Sequence, residues 1–376
     1  MISLSLDAFS KSYRNKELIS KLAKHIQQEA SNGCYKFMHV CGTHEDTITK
    51  HGLRAILPRN MDIVAGPGCP VCVTHPEKIE LALKLLEEIR DITLTTFGDM
   101  FRVPSRYGRS FSHAKAKGFD IKVVYSISDA VKMAKDNKHK EVVHFAVGFE
   151  TTAPSTASSI LHDPPQNFSI ISAHLAIPPV LDYLLASGEL GVQGLILPGH
   201  VSAIIGVQAY EFLVEKYNVP QVIAGFEPLD VFMALVSLLR QVNENEIMVD
   251  NVYGRVVRPE GNLKAKKIIN KVFKLEKAKW RGLGNIPNTG LQLRPEFAQF
   301  DAGIKFDIKP PEIIRDLEAG CSCSDVIKGL VKPDECQLFG RICTPFNPKG
   351  PCMVSIEGTC AIAYKYGKFK VKKSHG

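Results

Sequence analysis

Short apolar or β-branched runs alternate with longer amphipathic stretches between about residue 17 and residue 240. The runs have the length of strands, and the stretches between them have the apolar spacing of helices. Alternation of this kind predicts parallel sheets with helices on both faces. The predicted strands cover residues 36–40, 62–65, 93–97, 122–125, 142–147, 169–172, 194–197 and 221–224. The predicted helices cover residues 76–90, 128–135, 178–186, 202–217 and 229–241.

This order of elements indicates an α/β fold with two Rossmann-like parallel-sheet domains facing a cleft, plus a C-terminal domain. We expect a helical segment over residues 1–30, which is a candidate to pack on the C-terminal domain, and α/β domains over 31–120 and 121–240. The boundary near residue 120 follows from the site-like loop 97–104 and from the restart of the pattern near Gly118. Residues 241–376 lack the long apolar periods of a full core, and a bound metal group would stabilise them.

Two cysteine sites follow two of the predicted strands. Cys41 and His44 form a C-x-x-H spacing after strand 36–40, and Cys69 and Cys72 form a C-x-x-C pair after strand 62–65. Both sites then lie at the carboxyl edge of a parallel sheet, where open α/β proteins do their chemistry. Glycines and prolines around the pair predict a tight, exposed turn that suits redox work or a soft metal. Two buried cysteines acting as small apolar side chains are the alternative interpretation.

A third strand-end loop carries Glu150, Thr151 and Thr152 after the predicted strand 142–147. A carboxylate and two hydroxyls at that position could orient a ligand or relay a proton. The same residues could also form a capping box at the start of a helix. The sequence contains neither the glycine-rich dinucleotide pattern nor the P-loop pattern, so no nucleotide site of those kinds is expected.

Composition narrows the class of protein. The chain has 376 residues, a formal net charge of +8 and no apolar run long enough to span a membrane. Its Lys and Arg residues are scattered, without an aromatic-interleaved basic box, which argues against a nucleic-acid partner. The first 15 residues lack the apolar core of a secretory signal, so we expect a cytoplasmic protein. Ten cysteines in that reducing compartment favour metal, cluster or redox use over structural disulfides.

Six of the ten cysteines fall within forty residues near the C-terminus. Four thiolates can hold either zinc or an iron-sulfur cluster. Paired C-x-x-C knuckles are typical of zinc ribbons and do not occur in this segment, so the wide spacing favours a [4Fe-4S] cluster over zinc. The six are Cys321, Cys323, Cys336, Cys343, Cys352 and Cys360.

Taken together, these motifs resemble one family, the hydrogenase maturation factor HypD family. The resemblance covers almost the whole chain, in order, and the motifs are highly specific. They are Cys41-Gly42-Thr43-His44, Gly66 to Cys72, Gly148 to Pro154, Leu197 to Ser202, Ala224 to Asp230, Arg258 to Asn262, Trp280 to Gly284, Cys336 to Pro345 and Cys352 to Cys360. Two departures from the family pattern are Ile356, where a small residue is expected, and Ser324, where the family often has Gly.

The resemblance implies a role in assembling the Fe(CN)2CO group of [NiFe]-hydrogenases. Proteins of this family bind a HypC-type chaperone, with iron held between the two, and accept cyanide from a HypE-type thiocyanate carrier. It implies that Cys41 is an iron ligand with His44 nearby, and that Cys69 and Cys72 are a redox-active pair. The cleft would be lined by Glu150, Thr151 and Thr152.

The resemblance also implies a [4Fe-4S] cluster in the C-terminal domain that exchanges electrons with the dithiol. The ligands favoured on this basis are Cys323, Cys336, Cys343 and Cys360, and Cys321 and Cys352 stay open as alternatives. We expect a monomer before complex formation. Two other functions remain on sequence grounds: a general thiol-disulfide oxidoreductase with a structural metal site, and a zinc-stabilised binding module without redox chemistry.

Overall fold

The computed structural model describes residues 13–30, 33–105, 108–312 and 316–367. Eleven strands occur in this part of the chain. They are β1 Tyr35–His39, β2 Met61–Ala65, β3 Ile92–Thr96, β4 Ile121–Val123, β5 Glu141–Gly148, β6 Phe168–His174, β7 Gly194–Pro198, β8 Gln221–Ala224, β9 Val249–Asn251, β10 Phe273–Trp280 and β11 Gly284–Leu293. Strands β1 to β8 coincide with the eight predicted strands, and their ends differ from the predicted ends by two residues or fewer. This agreement confirms the α/β pattern.

The helices of the described residues lie between and after these strands. They are α1 Lys16–Glu29, α2 Gly42–Lys50, α3 Pro70–Val73, α4 Pro76–Glu88, α5 Phe111–Ala116, α6 Ile127–Asp136, α7 Ala153–Leu161, α8 Ile177–Ala186, α9 Gly199–Ile205, α10 Glu211–Tyr217, α11 Pro228–Glu244, α12 Leu263–Val272, α13 Ala302–Lys305, α14 Cys323–Ile327 and α15 Thr359–Tyr366. The predicted helix 202–217 is wrong as a single element. It is divided into α9 and α10 because Gly206 takes a φ of 87°, which ends α9.

The first sheet has five parallel strands in the order β2-β1-β7-β8-β9. The chain moves outward in one direction from β1 to β2, and in the other direction from β7 through β8 to β9. The strand order therefore reverses between β1 and β7. Ligands of open α/β sheets bind at such a reversal, beyond the carboxyl ends of the strands, and Cys41 follows β1 at this place.

The second sheet has four parallel strands in the order β4-β3-β5-β6. Its order reverses between β3 and β5, so the loop with Glu150 follows a strand next to the reversal. One core cluster contains residues of both sheets, such as Met38 and Val143. The two sheets are thus packed into one body.

The grouping of strands differs from the expected division of the chain. The boundary near residue 120 would separate β3 from β4, yet Leu94 of β3 pairs with Ile121 of β4. β9 lies in the stretch assigned to the C-terminal domain but pairs with β8 of the first sheet. The first sheet is therefore built from two distant parts of the chain, and the second sheet is inserted between them.

The N-terminal helix lies elsewhere than expected. The buried Ala23 and Ile26 of α1 belong to the same core cluster as Val231 and Leu235 of α11, over the first sheet. Residues 1–12 of the predicted N-terminal segment lie outside the described residues. The helix packs on α11 because its apolar stripe extends that core.

β10 and β11 form an antiparallel hairpin whose tip reaches the dithiol segment. Trp280 forms a bridge with Thr74, and the main-chain N–H of Arg281 donates to the carbonyl of Val73 at 2.8 Å. After the hairpin, turns and short helices carry the six C-terminal cysteines. Over the described ranges, no helix combines the length and the apolar character that crossing a membrane requires.

Candidate functional site

The two cysteine sites that follow β1 and β2 meet at one small cavity. Cys41, Cys69 and Cys72 all line it. The C-terminal region contributes Cys352 and Glu357 to the same cavity. The expectation that distant thiols converge is therefore met in the geometry, and one of the six C-terminal cysteines joins them.

Gly68 explains why the two loops come so close. A Cβ at this position would collide with the main chain of Cys41 and Val40. The carbonyl of Gly68 accepts a hydrogen bond from the N–H of Gly42 at 3.3 Å. Glycine is needed here for close backbone approach, and the contact fixes the position of Cys41 relative to the dithiol.

The dithiol is buried, which corrects the expected exposed turn. Cys69 is 6% exposed and Cys72 is 1% exposed, and the two form a disulfide. Cys69 caps the four-residue helix α3, and its sulfur accepts from the N–H of Cys72 at 3.2 Å. Glycine and proline do shape a tight turn, but the Cys41 loop and residues such as Ile327 and Thr359 cover it.

Cys41 is held as a neutral thiol by its surroundings. Burial, and then the charge of Glu357, raise the pKa of Cys41 to about 12. The N–H groups of His44 and Thr43 at the start of α2 act in the opposite direction. A metal cation at the sulfur would replace the proton and remove this penalty, because metal binding requires the thiolate.

His44 lies beside this site as a neutral imidazole. It is fully buried, and burial lowers its pKa to about 3. Its Nε2 donates to the carbonyl of Gly225 at 2.9 Å, and its ring packs on Phe226 at 5.2 Å between centroids. The cavity of Cys41 is lined by other residues than His44, so in this geometry His44 supports the start of α2 and the adjoining loop.

A buried ionic network supports the end of β1. The carboxylate of Glu45 accepts from Arg54 at 2.6 and 3.0 Å and from His39 Nε2 at 2.7 Å. Although burial acts to raise it, Arg54 and His39 hold the pKa of Glu45 well below its usual value. The ionised carboxylate fixes His39, which lines the cavity of Cys41. Sequence reasoning missed His39 and Glu45, because only their packing joins them to the site.

Glu150 is not part of the lining of this cavity. It is 6% exposed, and burial raises its pKa to about 7. One carboxylate oxygen accepts from the N–H of Ile177, the first residue of α8, at 2.8 Å. The expected capping box at α7 is absent from the described residues, since the cap, Thr152, makes no side-chain bond there. Thr151 is exposed and Thr152 is half-buried.

Glu150 and Cys41 both influence one buried group. Burial raises the pKa of Tyr210, and the charges of Glu150 and Cys41 act in the same direction. The hydroxyl of Tyr210 accepts from Ser202 at 3.2 Å. This arrangement suits a supporting role for Glu150 more than direct contact with the sulfurs.

All six C-terminal cysteines line a second cavity. Burial and the charges of neighbouring sulfurs raise the pKa of Cys343 and of Cys360. Among the described side chains, no three His, Cys, Asp or Glu residues have the spacing of a single bound metal ion. A four-iron cluster spans a wider set of sulfurs than one ion does, and its positive iron atoms would offset the mutual repulsion of thiolates. The donor set thus fits a cluster.

Cys323 and Cys352 stand apart within this set. Their sulfur atoms are 2.9 Å apart, and the two residues are only 3% and 2% exposed. Cys352 also lines the cavity of Cys41 and the dithiol, so it borders both sites. The sequence offered Cys352 only as an alternative cluster ligand. Its double position could not be read from spacing, because it depends on how the C-terminal region packs on the first sheet.

Fold and site together define a class: a parallel α/β protein that holds a buried dithiol and a third cysteine next to a cysteine-lined cavity. Residues 17–367 match the HypD family, described as "Hydrogenase formation hypA family". The chain is also similar to hydrogenase maturation factor HypD2 of Bradyrhizobium diazoefficiens, at 43% identity over 96% of this chain and 97% of that protein. Similar matches are hydrogenase maturation factor HypD of Cupriavidus necator, at 43% identity over 95% and 97%, and of Escherichia coli, at 39% identity over 95% and 98%.

The chain belongs to the HypD family of hydrogenase maturation factors. The resemblance read from its motifs is confirmed.

Proposed function

We propose that this protein is a scaffold and electron donor for assembly of the Fe(CN)2CO group of [NiFe]-hydrogenases. Iron would be bound at Cys41, together with a HypC-type chaperone, and cyanide would come from a HypE-type thiocyanate carrier. One observation carries the proposal: Cys41, the Cys69–Cys72 pair and Cys352 line a single cavity. The proposed metal-binding thiol, the proposed two-electron donor and the proposed link to the second cavity would thus share one site.

The chemistry balances with these groups. A thiocyanate R–S–CN reacts with the reduced dithiol to give R–SH, cyanide, one proton and the Cys69–Cys72 disulfide. The S–C bond breaks, the S–S bond forms, and two electrons pass from the dithiol to the carrier. Cyanide is released next to Cys41, where iron is its acceptor. The disulfide that the structure records is the product state of this step.

The pair must then be reduced again, and Cys352 is placed for this task. We propose that Cys323 and Cys352 form a second dithiol-disulfide pair, since their sulfurs are 2.9 Å apart. Exchange with Cys352 would return Cys69 and Cys72 to thiols. When bound, a [4Fe-4S] cluster in the second cavity would supply electrons singly.

This assignment changes the favoured ligand set. With Cys323 and Cys352 as a pair, four cysteines of the second cavity remain to hold the cluster. Cys321 then replaces Cys323 as the first ligand. The proposed ligands are Cys321, Cys336, Cys343 and Cys360.

A general thiol-disulfide oxidoreductase is less consistent with the geometry. Such an enzyme must bring a thiolate to a disulfide on another protein, and this requires an accessible cysteine. Cys69 and Cys72 are 6% and 1% exposed. The site therefore suits a small substrate group or an inserted chain end better than the surface of a folded protein.

The test is anaerobic purification followed by iron and sulfide quantification and EPR of the reduced protein. We expect about four irons and four sulfides per chain, and Cys323→Ser should retain them whereas Cys321→Ser should lose them. Retention in Cys321→Ser with loss in Cys323→Ser would restore the ligand set favoured on sequence grounds. A colourless protein that contains zinc would contradict the proposal and support a zinc-stabilised binding module.

A further inference from the structure

His39 is a buried imidazole with one bonded and one unbonded ring nitrogen. The residue is 1% exposed, and its Nε2 lies 2.7 Å from a carboxylate oxygen of Glu45. Its Nδ1 is buried and has no hydrogen-bond partner among the described residues. Buried polar atoms nearly always have a partner, so an unpaired ring nitrogen here indicates that a further group binds to it.

The bond to Glu45 assigns the proton of the ring. The carboxylate of Glu45 also accepts from Arg54 at 2.6 and 3.0 Å. Because a carboxylate can only accept, Nε2 of His39 carries the proton, and the lone pair of the neutral ring lies on Nδ1. A carboxylate that orients an imidazole through its other nitrogen is the usual arrangement behind a histidine that binds a metal.

His39 and Cys41 lie at the same small cavity. Both residues line it, as does the dithiol. The volume of this cavity is about 10 Å³, which is room for one water-sized group. The carbonyl of His39 accepts from the N–H of Gly66 at 2.8 Å, and this bond fixes the end of β1 against the loop after β2. The imidazole and the thiol therefore border a space that suits a single ion.

His44, the imidazole that the resemblance placed near the iron, has a different environment. Its Nδ1 is also without a partner in the described part of the chain, and its ring is 6.3 Å from that of His39 between centroids. Its Nε2, however, donates to the neutral carbonyl of Gly225, and the residue does not line the cavity of Cys41. Of these two histidines, His39 has both the carboxylate partner and the place at the cavity.

We propose that His39 is a second protein ligand, through Nδ1, for the iron that binds at Cys41. The inference rests on the proposed function, in which this iron is the cargo of the assembly. Among the side chains that the structure describes, no three His, Cys, Asp or Glu residues have the spacing of a single-ion site. A thiolate and an imidazole both suit iron, and two protein ligands leave its other positions open for cyanide and for a ligand from a partner protein.

The test measures binding of iron(II) to the full chain without partners. Anaerobic protein is mixed with isotopically labelled iron(II), so that iron already in the protein is not counted, and competition with a chelator gives the dissociation constant. The variant is His39→Gln, whose amide can still donate to Glu45 but which lacks Nδ1. We expect it to bind iron(II) at least about tenfold more weakly, since even residues behind a metal ligand contribute about 10–100-fold to affinity.

Three further variants separate a ligand from a structural residue. Cys41→Ser should lose the added iron(II). His25→Gln removes an exposed imidazole and should leave the dissociation constant unchanged. His44→Gln should weaken binding less than His39→Gln does. Thermal unfolding of each variant shows whether the fold is retained.

A second measurement decides the question if His39→Gln does not fold. The unmodified chain is loaded with zinc alone, and X-ray absorption is recorded at the zinc edge, where iron does not contribute. We expect a sulfur at about 2.3 Å and an imidazole nitrogen at about 2.0–2.1 Å. Both should remain in His44→Gln, and the sulfur should be lost in Cys41→Ser.

The inference is overturned if His39→Gln binds iron(II) as tightly as the unmodified chain, if His44→Gln causes the larger loss, or if the zinc spectrum contains no imidazole. Its failure is distinct from that of the proposed function. Iron(II) retained by Cys41→Ser would contradict the proposed function, whereas loss in Cys41→Ser with tight binding in His39→Gln would overturn only the role of His39. An unmodified chain that binds no added iron(II) would contradict both.

Discussion

The two sulfur sites of this protein are built in opposite ways. Cys41 and the Cys69–Cys72 pair lie at the carboxyl edge of a five-stranded parallel sheet and are fixed by main-chain contacts such as that of Gly68 with Gly42. The cavity of the six C-terminal cysteines is surrounded by turns and short helices. The buried residues of its own small core cluster are Phe339, Cys343 and Met353.

Because of this difference, we expect the loss of a sulfur to affect mainly the chemistry at the first site and mainly the folding at the second site. The first site is positioned by a large core that exists without any bound group, so losing a sulfur there should change chemistry more than folding. The second site has a core cluster of only three buried residues of its own, and a cluster would contribute directly to its folding free energy.

The largest effect is expected from Cys72→Ala, which should abolish hydrogenase maturation while the protein stays folded. The disulfide to Cys69 closes a loop of only a few residues and so constrains the unfolded chain little. Hydrogenase activity in a strain carrying the variant, with circular dichroism of the purified protein, checks both parts. Cys34→Ala, which removes an exposed thiol, is the control and should mature hydrogenase normally. Normal activity in Cys72→Ala would remove the dithiol from the account.

Cys343→Ser should have the largest effect on stability. If Cys343 is a cluster ligand as proposed, its loss would remove the bound group together with one of the three buried residues of the local core, with an expected cost of about 4 kcal/mol. Anaerobic thermal unfolding measures it, and we expect a clear decrease in melting temperature relative to Cys34→Ser. An unchanged melting temperature would mean that the C-terminal region folds without its sulfurs.

Gly68→Ala should destabilise the first site through packing alone. The added Cβ would collide with the main chain of Cys41 and Val40, and neither can move without shifting β1. The expected loss in the free energy of unfolding is about 3 kcal/mol or more, measured by urea denaturation. Gly98→Ala is the matched control, because its Cβ would meet only Val123 at an ordinary 3.8 Å. Equal effects in the two variants would show that the approach of the two loops is not tight.

The smallest effect concerns Glu150 and pH. Burial raises the pKa of this carboxyl to about 7 in the folded protein, so the folded state binds a proton that the unfolded state has lost. Its contribution to stability is complete below about pH 4.5 and is lost as pH rises through about 7, by at most about 3 kcal/mol. Urea denaturation between pH 4.5 and pH 8 should show this decline, and Glu150→Gln should remove it. Parallel pH profiles for the two proteins would contradict the assignment.

The fold was largely predictable from the sequence, because each strand of a buried parallel sheet has its own apolar run. All eight predicted strands are present, and the positions of Cys41 and the dithiol at strand ends follow from them. The pairing of strands was not predictable in this way. The pairing of β1 with β7 brings together Phe37 and Gly194, which are 157 positions apart in the sequence (194 − 37).

The site was predictable only in part. Motif spacing identified Cys41 and the Cys69–Cys72 pair, but burial of the pair depends on a C-terminal region with few regular elements. The contributions of Glu357 and Cys352 arise from contacts across that interface. No local sequence pattern predicts such contacts, because they depend on how the C-terminal region packs against the first sheet.

The central claim is that Cys352 connects the second cavity to the dithiol. Its most direct test is stepwise anaerobic reduction with dithionite, with EPR of the cluster and alkylation mapping of Cys69 and Cys72 in the same samples. In the unmodified chain we expect both cysteines to become alkylated as the cluster is reduced. In Cys352→Ser the cluster should still be reduced while Cys69 and Cys72 remain joined. If the pair opens equally fast in Cys352→Ser, electrons reach it by another route and the account is contradicted.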